Sequence, residues 1–115
     1  MGTDPDPDAD AALAFDEALS AVFALLGKRW TGLIIGSLCD GPARFAEIAR
    51  AVPGITEGML STRLQELQEA GIVDREVVAG PPIASLYGLT DRGRALEPAL
   101  LELARWAQAN LVPGR

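Results

Sequence analysis

The stretch TEGMLSTRLQELQ, residues 56–68, carries the side chains best suited to chemistry at a surface. Read as a helix, it puts Glu57, Gly58, Ser61, Thr62, Gln65 and Gln68 on one face, with Arg63 beside them and Leu60, Leu64 and Leu67 opposite. Short neutral hydroxyl and amide groups with one guanidinium are what base edges in a DNA major groove can pair with. A solvated helix face would look the same in isolation, so the flanking elements decide between the two. Lys28, Arg29, Arg44, Arg50 and Arg75 are the candidates for phosphate contact. Lys28 and Arg29 are expected to open a second helix and Arg44 a third, where backbone N–H groups also favour phosphate. For any one of these cations, ordinary surface charge is the competing reading.

Other chemistries are poorly supplied. The chain has no histidine and one cysteine, Cys39. This removes Ser-His-Asp and Cys-His catalysis, histidine metal sites and any intramolecular disulfide. No glycine-rich phosphate loop is present, and the acidic pairs are those any acidic helix offers. The expectation is a protein that is not an enzyme, with no cofactor and no metal. Cys39 is expected to be a small, buried core residue.

With 115 residues, a single domain is expected. Six of the 16 acidic residues fall within residues 1–17, which hold no Lys or Arg; the other ten balance the ten basic residues of the remainder. The net charge of −6 is therefore a property of the leading segment. Residues 1–10, MGTDPDPDAD, are expected to form a disordered acidic tail and residues 11–115 a folded domain. The start is acidic and lacks an apolar run, and the longest apolar stretch, Leu33–Cys39, is too short to cross a bilayer. A cytoplasmic protein without membrane association is expected.

The elements that must position the 56–68 helix can be read from periodicity. Phe15, Leu19, Val22, Phe23 and Leu26 recur at helical spacing from about Ala11, and Gly27 ends that helix. KRWTGLIIGSLCDGP reads as a second helix with Trp30, Leu33, Ile34 and Leu38 inward. ARFAEIARAV is a short third, with Phe45, Ile48, Ala49 and Val52 inward, stopped by Pro53-Gly54. Thr56 caps the fourth, Ile55 and Leu60 stand at staple spacing, and Gly71 is the C′ residue. The period then changes: strands over Val73–Val78 and Ser85–Leu89 flank a Gly-Pro-Pro loop, and Thr90 caps a last helix to about Asn110. The order is α-α-α-α-β-β-α, mainly helical with a small β-hairpin. The tight turn at Pro53-Gly54 makes the fourth helix cross the third steeply, and the hairpin stands beside it as a wing. This is a winged helix-turn-helix with a three-helix core.

The stretches LLGKRWTGLII, LCDGPARFAEI, VPGITEGMLSTRLQELQEAGIVDREV and GPPIASLYGLTDRGRAL, in this order, resemble the HxlR family of bacterial transcriptional regulators, which are MarR-like winged-helix proteins. The likeness covers roughly residues 18–110. It implies a homodimer on operator DNA with two half-sites, joined through the first and last helices. Some members of the family sense oxidants through a cysteine near the start of the first helix. That position falls at about Glu17 here, so that mechanism is not expected. The family often has a basic residue near position 58 and another after the Pro-Pro of the wing. Gly58 and Ile83 stand there instead, so strong phosphate binding by the wing is not expected and the affinity is expected to be weaker or more shape-dependent.

The dimer surface has its own sequence support. Leu96, Leu100, Leu103, Trp106, Ala107 and Leu111 make the last helix apolar over more width than one domain core needs. With Leu19, Val22, Phe23 and Leu26 of the first helix they are the expected interface. Phe23, Leu26, Trp30, Leu33 and Trp106 are the expected lining of a pocket for a small apolar or aromatic effector, although such clusters are more often plain core. The alternative function is a winged-helix protein-interaction module without specific DNA readout. Arg63 separates the two, since a base reader relaxes sequence preference when truncated and a bystander does not.

Overall fold

The computed structural model describes residues 7–112. In chain order it contains α1 (Pro7–Leu26), α2 (Thr31–Ser37), β1 (Ala43–Arg44), α3 (Phe45–Ala51), α4 (Glu57–Glu69), β2 (Val73–Val78), β3 (Ala84–Leu89) and α5 (Asp91–Asn110). The winged helix-turn-helix is present. Helices α2, α3 and α4 enclose the core, and β2 and β3 form the wing.

Two helix starts differ from expectation. Helix α1 begins at Pro7 rather than near Ala11, so the segment expected to be disordered is helical over residues 7–10; residues 1–6 lie outside the described residues. Proline at the first helical position sacrifices no hydrogen bond, and Asp8 and Asp10 in the first turn favour the positive end of the dipole. Helix α2 begins at Thr31, so Lys28 and Arg29 lie in the turn ahead of it rather than opening it. The cause is Trp30, whose φ of 80° is left-handed and cannot continue a helix. The inward face shifts accordingly: Thr31, Ile34, Ile35 and Leu38 are buried, while Leu33, expected inside, is 60% exposed.

Helix α4 follows its local signals closely. The Thr56 hydroxyl accepts from the Met59 N–H at 3.1 Å. At the other end Ile72 N–H donates to Leu67 O and Gly71 N–H to Gln68 O, with Gly71 at φ 74°, which together make a Schellman motif. Leu60, Leu64 and Leu67 go into a core shared with Ile34, Ile35, Leu38, Ile48, Val52, Ile72, Val73 and Leu89. Ile55, Phe45 and Ala49 pack against its edge.

The sheet has three strands in the order β1-β3-β2, all antiparallel. The two-residue β1 was not expected; it pairs Ala43 with Tyr87 and Arg44 with Leu86, and so ties the start of α3 to the root of the wing. Thr90 caps α5 by accepting from the Gly93 N–H at 3.1 Å. Its hydroxyl also donates to Gly71 O at 2.6 Å, which joins the end of α4 to the start of α5.

Helices α1 and α5 pack on this body through Leu25, Leu26, Leu96 and Leu100 and leave most of their length outside the core. No residue of α1 is buried, and in α5 only Gly93 is. The radius of gyration is 18.1 Å, against about 13 Å for a compact domain of this length.

Candidate nucleic-acid interface

The cap, the Schellman motif and the three buried leucines fix which way α4 faces. Glu57, Gly58, Ser61, Thr62, Gln65 and Gln68 are all exposed on its outer side, as the periodicity required. Two details add chemistry. The Thr62 hydroxyl donates to Gly58 O at 3.0 Å, so outward it presents lone pairs and acts as an acceptor. A Cβ at Gly58 would meet nothing within 4 Å. Packing therefore does not demand glycine in this exposed helical turn, where it costs about 1 kcal/mol relative to alanine.

The wing supplies the second wall. Arg75 on β2 pairs in register with Tyr87 on β3, and its Nε and Nη2 donate to the Ser85 hydroxyl at 3.1 and 3.0 Å. Tyr87 also rests against Phe45, ring centroids 6.5 Å apart. Between α4 and the wing lies a cleft of about 490 Å³ walled by Ser61, Gln65, Gln68, Arg75 and Tyr87. Tyr87 was missed from sequence. Its period-2 relation to Ser85 was the available signal, since alternate residues of a strand share a face.

The cations divide into two groups. Arg44 and Arg50 are exposed and enter no ion pair among the described residues; the Arg44 backbone N–H donates to the Glu47 carboxylate at 2.9 Å as α3 begins. Lys28 and Arg63 are held by the same carboxylate, Glu66. Arg63 was expected to face the groove with the polar set. Instead its side chain is only 17% exposed and turns back: Nε donates to Arg29 O at 3.1 Å and Nη1 to Glu66 at 2.5 Å. Hydrogen bonds from Lys28 and then Arg63 hold the Glu66 carboxyl below its ordinary range. Arg29 lies over the Trp30 ring, 4.5 Å from its centroid.

The expected pocket residues fall into two adjoining spaces. Phe23, Leu26 and Trp106 line a groove of about 560 Å³ between α1 and α5, together with Leu19, Val22, Leu100 and Leu103. Leu26, Trp30 and Leu33 line a second space of about 580 Å³ beside the 27–30 turn, reached also by Cys39 and Glu97. Leu111 is exposed just past the end of α5. Cys39 is half-buried at the end of α2 rather than sealed in the core. Burial, then the neighbouring Glu97, pushes its thiol pKa up, which disfavours the thiolate. Among the described residues no group of His, Cys, Asp or Glu could hold a metal ion, and no helix is long and apolar enough to cross a membrane.

Comparison with known proteins agrees with this geometry. The profile of the HxlR-like helix-turn-helix family matches residues 25–114. The HTH-type transcriptional regulator YodB of Bacillus subtilis (strain 168) is 45% identical over 96 residues, 84% of this chain and 86% of that protein. A structure of reduced YodB superposes with a TM-score of 0.76 at 44% identity, covering 85% of this chain and 96% of the other. A quinone-bound form of YodB superposes at 0.70 with 44% identity, covering 81% and 98%.

Proposed function

The chain belongs to the HxlR-like helix-turn-helix family and is a DNA-binding transcriptional regulator; from that premise we propose that it acts as a homodimer on an operator with two half-sites. The observation that carries the reading is the two-sidedness of α4. Its inner leucines are fully sealed in the core, and its outer side is polar, exposed and set beside a wing. Thr56, Gly58, Ser61, Thr62 and Gln65 face the major groove. Thr62, donating inward, accepts from a base amino group; Gln65 offers the bidentate edge that suits adenine. Gly58 lets the backbone come close to the DNA. Arg44, Arg50 and Arg75 take phosphates, and the half-sites lie about 34 Å apart, one helical turn.

The α1–α5 groove is the face given to the second copy, with Leu19, Val22, Phe23, Leu26, Leu100, Leu103, Trp106 and Leu111 contributing. A flat apolar or aromatic ring compound is the effector class that suits a groove lined by Phe23 and Trp106. The quinone-bound state of YodB supports that class. In this chain the contacts offered to such a ring are the apolar side chains of the groove. Such a ligand changes the spacing of the two recognition helices.

Fluorescence anisotropy on the DNA upstream of the chain's own gene, titrated with salt against a scrambled competitor, tests the reading. Preference of about a thousandfold or more for the upstream DNA is expected. Equal binding to both that vanishes with salt would refute it, because that is counterion release alone.

A further inference from the structure

We infer that Arg63 is a positioning residue, and that the Lys28–Glu66–Arg63 chain locks the recognition helix to the turn that ends α1. This rests on the reading above, in which α4 enters the major groove.

The turn at residues 27–30 grips the helix-turn-helix at three places. The main-chain carbonyl of Arg29 accepts from Arg63 Nε, and Lys28 pairs with Glu66, so α4 is held at two points nearly one helical turn apart. Arg63 and Glu66 are themselves bonded, which makes the two grips one connected unit. The third is Trp30: its ring lies against the turn between α3 and α4, where a Cβ on Gly54 would stand 3.4 Å from Cη2. Trp30 keeps a left-handed backbone at this place, a conformation that persists only when the surroundings impose it.

The same turn is fused to α1. Gly27 N–H closes on Phe23 O at 2.8 Å, and a Cβ on Gly27 would stand 2.4 Å from that oxygen. Phe23 and Leu26 line the groove between α1 and α5. A change in the direction of α1 therefore reaches α4 through three residues and two shared hydrogen-bonding groups. A guanidinium spent on a carbonyl and a carboxylate inside the protein is not free to read a base; its fixed fork suits holding two partners at once.

The proposal separates from base reading through Glu66. Its removal takes a negative charge away from a DNA-facing helix. If the carboxylate is mere surface charge, operator binding stays the same or tightens. If it positions α4, binding weakens. The test uses the full chain, an operator selected by the wild-type protein from a random duplex pool, and a panel of its single-base-pair variants. Arg63→Ala and Glu66→Gln are each expected to weaken operator binding about tenfold, as loss of a hydrogen bond to a charged group would. Both should spread the loss over the half-site in the same profile, and the double variant should be within about twofold of either single one, as one coupled unit requires. Arg63→Lys, which keeps the charge and the fold but not the fork, should lose nearly as much as Arg63→Ala. The inference is overturned if Arg63→Ala relaxes preference at a single base pair while Glu66→Gln leaves affinity unchanged or higher, or if Arg63→Lys binds like wild type. A wild-type chain that selects no sequence would remove the groove-reading assignment itself, and this inference with it.

Discussion

Helices α2, α3 and α4 send Ile34, Ile35, Leu38, Ile48, Val52, Leu60, Leu64 and Leu67 to essentially zero exposure. Helices α1 and α5, each 20 residues long, leave Phe23 56% and Trp106 58% exposed, and Leu19 and Leu103 exposed beside them. Both regions are apolar at helical spacing. The difference is what lies opposite: the first region closes on itself, while the second forms a groove that the described residues leave open. An apolar stripe announces that a face will be covered and is silent about whether the cover comes from the same chain.

The largest effect is expected in the core. Leu64→Ala should cost about 2–5 kcal/mol in urea unfolding, because the void is sealed on all sides. Phe23→Asp should leave the helix-turn-helix folded by circular dichroism. It should also abolish any rise of the wild-type unfolding midpoint with protein concentration, the signature of a second copy covering the groove. A wild-type midpoint that does not move with concentration would show that no second copy covers the groove.

Two glycines test the same contrast at smaller cost. A Cβ at Gly93 would stand 2.4 Å from Ile72 O and 3.2 Å from Leu89 Cδ2, where α5 meets the closed core. Gly93→Ala should therefore destabilise by about 1–3 kcal/mol. Gly58→Ala meets open space and should stabilise by up to about 1 kcal/mol while weakening operator affinity. A Gly58→Ala protein that binds operator as tightly as wild type would show that the backbone makes no close approach there.

The smallest effect is the pH dependence of the Glu66 tie. Lys28 and Arg63 lower this carboxyl from its ordinary value of 4.5. Its contribution is complete above that value and is lost as pH falls through the lowered one. In acid titrations of the unfolding midpoint, Glu66→Gln should flatten the drop that sets in below the ordinary carboxyl value of 4.5. The change should be small, since the group is solvent-screened.

What was legible in the sequence follows the range of the forces involved. Thr56, Gly71 and Thr90 were readable as caps because each satisfies backbone groups within a few residues of itself. The wing was readable from a change of period. Strand β1 was not, because two residues carry no period and exist as a strand only through Tyr87 and Leu86, more than forty positions away. The start of α2 was misplaced because the backbone of Trp30 answers to packing against a distant turn rather than to its neighbours. Arg63, expected beside the polar face as a base reader, turns inward for a related reason. Its helical position allows the long side chain to swing either way, and a carbonyl 34 residues earlier decides.

Part of the positive charge near the recognition helix is already paired. Lys28 and Arg63 are held by Glu66 and the wing tip carries Ile83, 74% exposed, while Arg44 and Arg50 enter no ion pair among the described residues. For a protein that must find one site among millions, this bears on the search itself. A weaker hold on arbitrary duplex would shorten each landing and each slide along the contour. Such a molecule would sample widely separated stretches of chromosome quickly and linger only where groove shape and base edges both match.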